Sequence, residues 1–322
     1  MSHLLSSILI YDTTQINESN DTKHILYYYP VDTAIDTIVG TAGIIHGCTV
    51  LSTQWYTTTQ YMAVYGSTLY HYCIVCECNY VVVISISRNQ YKHIDQLCHT
   101  LLTQCYNIFV CINNKFNTLT ESNQLIDPLT RYMNLYVQYV NDVIDSTGSL
   151  IDTAIIPSLP SHYIQYYQLQ HLLQRITNNQ IKQYSIVNSY HQTEHQLLYS
   201  NIRDNSINET VMLLCSDSQW IDYITHSSTT SHDDDIISID SVESNKSIQN
   251  SNSQWLSMNN GKSLPVLYIN GVSHQYMLYR HHSLTVLLLL SQHIDTTHTI
   301  QLYDQLSTVL NSQLSNISHS IK

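Results

Sequence analysis

Along the chain, apolar residues recur with two spacings, and the switches between them mark the elements. Short apolar runs at SILIYD (7–12) and HILYYY (24–29) predict two strands joined by a polar loop. Pro30 lacks the amide hydrogen that a sheet ladder needs, so it ends the second strand. Three- and four-residue steps then take over. Ile35, Ile38, Val39, Ala42, Ile45 and Thr49 fall on one helical stripe, with Asp32 or Thr33 placed to cap its start. Strand character returns in QYMAVYG (60–66), TLYHYCIVCEC (68–78) and YVVVISIS (80–87), with breaks at Gly66-Ser67 and Asn79 that suit tight turns. Helical spacing follows at Ile94, Leu97, Cys98, Leu101, Leu102, Cys105 and Ile108. A further helix is expected from Asp127 as cap and Pro128 in the first turn, carrying Leu129, Met133, Tyr136, Val140 and Ile144 inward.

The second half repeats the theme. An amphipathic helix is expected at IQYYQLQHLLQRI (164–176), a hairpin at 182–190 and 195–200, and one helix over 208–224. From about 225 to 263 the chain turns to Ser, Asn, Thr and Asp with few apolar residues, and reads as a disordered insert. Strands at 265–270, 274–280 and 284–290 follow. A last helix sets Leu302, Leu306, Val309, Leu310, Ile317 and Ile321 on one side.

Each half therefore reads as two strands, a helix, three strands and closing helices. A five-stranded antiparallel sheet flanked by helices in that order resembles the longin domain. The fold expected is α+β, with tandem longin domains: 1–148, a connector at 149–162, and 163–322 with the insert at about 225–263.

Composition narrows the function. The chain has 24 acidic against 12 basic side chains, a net charge of -12 with histidine neutral. That opposes nucleic acid as a partner and simple electrostatic attachment to anionic lipid. The N-terminus lacks the basic region and long apolar run of a secretory signal. The apolar run TVLLLL (285–290) is far below the ~20 residues that span a bilayer. The eight cysteines follow no disulfide framework. The expectation is a soluble, reduced, intracellular protein.

Chemistry finds no foothold. Cys73 points to one side of its strand while Cys76 and Cys78 point to the other, and no second ligand pair stands at zinc-finger spacing. NGKS (260–263) ends like a phosphate-binding loop, but Leu256 stands where that loop needs glycine. His281 and His282 read as solvated residues of a strand-to-strand turn, and HDDD (232–235) as a solvated acidic tract. No cofactor, metal or catalytic residue is expected, and the chain is not read as an enzyme.

Two features invite a partner instead. Gly40, Gly43 and Gly47 lie close to the apolar stripe of the first helix, where each glycine costs roughly 1 kcal/mol against alanine. They suit either close packing on the helix's own sheet or close approach by another protein. Trp55, in the polar stretch STQWYTTTQ, reads as a loop aromatic that either folds over the sheet edge or anchors an interface.

An ordered series of short matches then resembles the vacuolar-fusion family named for calcium, caffeine and zinc sensitivity. LIYD (9–12), KHILYYYP (23–30), Val39-Gly40, LIDTAIIPSLP (150–160), MLYRHHSLTVLLLL (277–290) and YDQLSTVLNSQL (303–314) carry it. The resemblance implies a non-covalent role: one subunit of a guanine-nucleotide exchange factor for a late-endosomal or vacuolar Rab GTPase. It implies a monensin-sensitivity-type longin partner, peripheral membrane contact through the complex, and a place on late endosomes or the vacuole. Gly43, His46, Gly47 and Trp55 are the expected contact residues, chosen from the topology. The family's third longin domain has no counterpart before Lys322. The alternatives are a non-catalytic longin scaffold or adaptor, and a subunit of the related lysosome-related-organelle exchange factor.

Overall fold

The computed structural model describes residues 5–15, 24–55, 61–87, 94–147, 160–177, 180–191, 194–216, 218–227, 253–256, 264–291, 294 and 296–321. The chain divides into two compact units, Met1–Leu150 and Ile151–Lys322.

In the first unit five strands form one antiparallel sheet: β1 (Leu5–Asp12), β2 (Ile25–Tyr29), β3 (Tyr61–Tyr65), β4 (Leu69–Cys76) and β5 (Tyr80–Ser87). Their order is β2-β1-β5-β4-β3. The central pair is in register with Ile8 opposite Ile84 and Ile10 opposite Val82. Because β2 and β3 occupy opposite edges, the chain between them must cross the whole sheet. Helix α1 (Ile35–Trp55) makes that crossing: its 21 residues span about 31 Å, ample for five strands about 4.8 Å apart. It buries Ile38, Ala42 and Ile45 against Leu9, Tyr11, Cys73, Val81 and Val83. Ile35, expected on this stripe, is instead half exposed at the helix start, where Ala34 C=O accepts the amides of Thr37 and Ile38.

The other face carries α2 (Ile94–Asn113) and α4 (Ile126–Thr147), joined through a short α3 (Phe116–Glu121) that the periodicity does not reveal. Helix α4 begins one residue before Asp127, so Asp127 sits in its first turn rather than at the cap. Tyr132 and Tyr136 donate to the carbonyls of Cys105 and Leu101 at 2.8 and 2.9 Å, tying α4 to α2. With both faces covered, β5 is buried from Tyr80 to Ile86.

The second unit comprises α5 (Pro160–Ile176), β6 (Ile181–His191), β7 (Glu194–Ser200), α6 (Asn205–Ser216), α7 (Ser218–Ser227), β8 (Ser253–Trp255), β9 (Val266–Ile269), β10 (Val272–His281), β11 (Leu284–Leu290) and α8 (Thr296–Ile321). Its sheet has six strands rather than five, ordered β7-β6-β11-β10-β8 with β9 also on β10. Strands β9 and β8 share one edge of β10, opposite Val272–Gln275 and Tyr279–His281 respectively. Between them Tyr276 N–H donates to Pro265 C=O, and Leu256 N–H to Leu278 C=O. Together the two segments fill the place that β3 holds in the first unit, so both units share one strand order.

Two expectations are corrected here. The stretch 208–224 is two helices, not one; α6 and α7 pack against each other with Trp220, Tyr223 and Ile224 of α7 buried. The segment read as a disordered insert contains β8, while 228–252 and 257–263 lie outside the described residues. Composition is a local average, and it missed Trp255, whose partners are remote. The indole lies 4.5 Å from Tyr279 and 4.6 Å from Tyr303 between ring centroids, and its N–H donates to Ser307 Oγ at 2.8 Å.

Candidate partner-binding face

Helix α1 carries apolar residues on two opposite sides, and the sheet uses only one of them. Ile38, Ala42 and Ile45 supply the buried stripe, with Thr49 half buried on the same line. On the opposite side Gly40, Gly43, Ile44, Gly47, Val50 and Leu51 are exposed, Ile44 at 62 % and Leu51 at 53 %. Val31, just before the helix, is 84 % exposed. Asp36 is the single carboxylate on α1, and no Lys or Arg accompanies it. By length and composition residues 35–52 would suffice to cross a bilayer, a property that the apolar-run reading overlooked. The stripe embedded in the sheet shows α1 to be a layer of this fold.

The glycines answer the packing question directly. A Cβ built on Gly40, Gly43 or Gly47 meets nothing within 4 Å, so none of them serves close approach to the helix's own sheet. Ala42, fully buried, takes that part. The glycine row is a shallow trough on the outside, flanked by Ile44 and Leu51.

The other expected contact residues fall differently. His46 is half buried and turned toward Tyr11, with ring centroids 6.5 Å apart and edge-on, and its Nδ1 is buried without a hydrogen-bond partner. It does not share the face of Gly43 and Gly47. Trp55 is the last residue of α1 rather than part of a loop, and its side chain lies outside the described residues. Ile44 and Leu51 were not singled out from the sequence. Their signal was present, because adjacent Ile44 and Ile45 cannot both face one sheet.

Next to α1, β3 offers a free edge among the described strands. It pairs with β4 alone, in unbroken register from Tyr61–Ile74 to Tyr65–Tyr70. Its sequence YMAVY has no charge, proline or bulge, the devices that normally protect an edge. Asp95, in the first turn of α2, holds this corner. It accepts from Tyr72 Oη at 2.7 Å and Tyr65 Oη at 3.3 Å through its carboxylate, and from Tyr61 Oη at 3.1 Å through its carbonyl. Burial, then this carboxylate, pushes the Tyr72 phenol well above its ordinary range.

The cysteines are dispersed. Cys73 faces α1, Cys76 neighbours Cys105 on the α2 side, and Cys78 is exposed in the β4–β5 turn at φ +67°. Among the described residues no three His, Cys, Asp or Glu side chains gather as a metal-binding group. Burial pushes the thiols of Cys73, Cys98 and Cys105 up to about 12 and that of Cys215 up to about 11. With a maleimide-type reagent at pH 8, native protein is expected to label first at Cys78 and then at half-buried Cys48. The six buried cysteines should react only after unfolding, as peptide mass spectrometry would read.

Residues 5–114 match the family model described as the first longin domain of INTU, CCZ1 and HPS4. The first unit is a longin domain. The matched region ends soon after α2, about a third of the way along the chain. No curated protein matches the chain. One description covers three members, so it fixes the kind of domain and not one member among them. In this longin domain the helix that crosses the sheet is the one left half bare.

Proposed function

We propose that the chain is one subunit of a two-subunit guanine-nucleotide exchange factor for a late-endosomal or vacuolar Rab GTPase. In this reading it acts in endosome maturation and in vesicle fusion with the vacuole or lysosome. Its first longin domain pairs with a longin domain of a monensin-sensitivity-type partner, and the complex touches the membrane peripherally. The observation that carries the reading is the uncovered apolar side of α1 beside the open edge of β3. In the second unit α6 holds the equivalent crossing position. There α7 packs on it, and Ile207, Asn208 and Thr210–Cys215 are all buried. Helix α1 has no such cover among the described residues. A partner element is what would complete it, as the resemblance to a two-subunit exchange factor implies.

Exchange requires no bond to be made or broken in this chain. A platform that binds the nucleotide-free GTPase better than the nucleotide-bound form shifts the population toward an open pocket, and GDP leaves. Exposed uncharged surface suits the protein partner, and the net charge of -12 disfavours direct adhesion to anionic lipid.

The test is release of a fluorescent GDP analogue from the late-endosomal Rab of the same organism. Acceleration of at least about 100-fold that needs both subunits is the expected outcome, equivalent to ~2.7 kcal/mol of barrier. A stable two-longin complex that accelerates release from no Rab tested would replace this reading with a scaffold or adaptor.

A further inference from the structure

We propose that β8 is a proton-operated strap, held on the second sheet by His281 and released when that ring is protonated. This inference is independent of the exchange-factor reading. His281 was expected to be a solvated turn residue; it is the last residue of β10 and only 6 % exposed. Its two ring nitrogens bridge separate elements. Nδ1 lies 2.5 Å from Ser253 Oγ of β8, and Nε2 lies 3.0 Å from Ser315 Oγ of α8.

The hydrogen-bond chain assigns the tautomer. Ser315 spends its own hydrogen on Asn311 C=O at 2.8 Å, so its oxygen accepts from Nε2–H. Nδ1 is then the bare acceptor, and the Ser253 hydroxyl donates to it. A proton added at Nδ1 forces the Ser253 hydroxyl to turn its hydrogen away and to accept where it had donated. It also places a cation where little solvent reaches it.

The surroundings reinforce the effect. His282 stands edge-on at 4.6 Å and opposes a second positive charge. Arg280, the other cation nearby, is one residue earlier on the strand and turned to the opposite face, where it meets Thr285 and Cys215. Strand β8 brings Ser253 and Gln254, β11 brings Leu284, and α8 brings Asn311 and Ser315, none of them charged. The Tyr279 phenol bonds Asn311. No carboxylate among these groups compensates a charged ring. Burial, then His282, lowers the affinity of His281 for a proton against a contribution from Asn311. A lowered folded-state value means that the released state binds the proton better. The strap's stability is therefore complete above the ordinary imidazole value near 6.5 and is lost as pH falls through the folded value.

Besides His281, the Trp255 N–H fastens the strap to Ser307 Oγ of α8 at 2.8 Å. The strap is a three-residue edge strand, continued by the Leu256 amide bond to Leu278. Trp255, seated between Tyr279 and Tyr303, is its aromatic anchor. Release uncovers this aromatic slot and the free edge of Tyr279–His281, while β9 keeps its separate hold on Val272–Gln275.

Amide hydrogen exchange on the full chain, timed to offset the intrinsic pH dependence, tests the idea between pH 7.5 and 5.5. Peptides covering 253–256 are expected to lose about tenfold in protection at the lower pH, with β11 unchanged as internal reference. In His281→Gln the pH response of 253–256 should vanish. In Ser253→Ala, 253–256 should already be loosened at pH 7.5 with β11 intact. The proposal is overturned if 253–256 keeps its protection at pH 5.5, if it opens only together with β11, or if His281→Gln retains the response. Should His281→Gln not fold, the wild-type profile and Ser253→Ala decide between the same outcomes.

Discussion

Replacing Gly43 and Gly47 together by arginine is expected to stabilise the isolated chain while weakening its longin partnership more than about 100-fold. The two effects have opposite signs because they act on different surfaces. A Cβ at either position meets nothing within 4 Å, so the folded monomer accommodates the side chains without strain. Removing two mid-helix glycines then favours the helix by roughly 0.5–1 kcal/mol each. The melting temperature of the first unit should rise by about 2–6 °C. In the complex, two guanidinium groups would be trapped on a face whose described neighbours are Ile44, Val50 and Leu51. A loss of ~2.7 kcal/mol, or 100-fold, is modest for buried unpaired charge. Calorimetric unfolding and titration against the partner longin subunit read the two halves separately. A complex as tight as wild type would remove α1 from the interface. A large fall in melting temperature would show that the trough is part of the monomer's own packing. The corresponding pair of alanines supplies the control, with the stability gain and no charge.

Glu77→Ala is expected to cost the first unit about 3 kcal/mol, read as a fall of roughly 6–12 °C in its unfolding transition. Glu77 sits in the tight β4–β5 turn at φ +49°, with Cys78 beside it at +67°. Such turns favour Asn and Gly, and a bulky residue in the left-handed region is strained by ~1 kcal/mol or more. Here the carboxylate offsets the cost. It accepts the amides of Phe116 and Asn117, both at 2.8 Å, and the hydroxyl of Tyr106 at 2.9 Å. The first two are free donors at the start of α3, and no side chain of the helix's own flank caps them. Alanine leaves three donors without their acceptor and retains the left-handed turn. α3 seats Phe116 against Tyr80, Tyr106 and Phe109, so the damage reaches the core. A loss below about 1 kcal/mol would mean that water replaces the carboxylate.

Glu77 also shows where sequence reading reaches its limit. The β4–β5 break was legible because Asn79 and the loss of strand pattern announce a turn. The role of Glu77 was not legible, since its partners stand 39 and 40 positions downstream. The same holds for Trp255 and His281. Both lie in stretches whose composition reads as exposed, and both are held by α8, which no local window contains. For α1 the inward stripe Ile38, Ala42 and Ile45 was readable from spacing. The outward glycines were readable only as a question, because their two readings differ in what lies across from them.

The sequence by itself determined the kind, order and approximate bounds of most elements. Through that order it required a helix to cross each sheet between the second and third strand positions. Periodicity along one segment suffices for this, because backbone geometry sets it locally. Only the tertiary structure decided which apolar surfaces are covered: α6 under α7, Trp255 between Tyr279 and Tyr303, and α1 on one side alone. Coverage is a property of two segments that meet in space, and the hydrophobic gain of a side chain depends on the neighbour that takes it out of water.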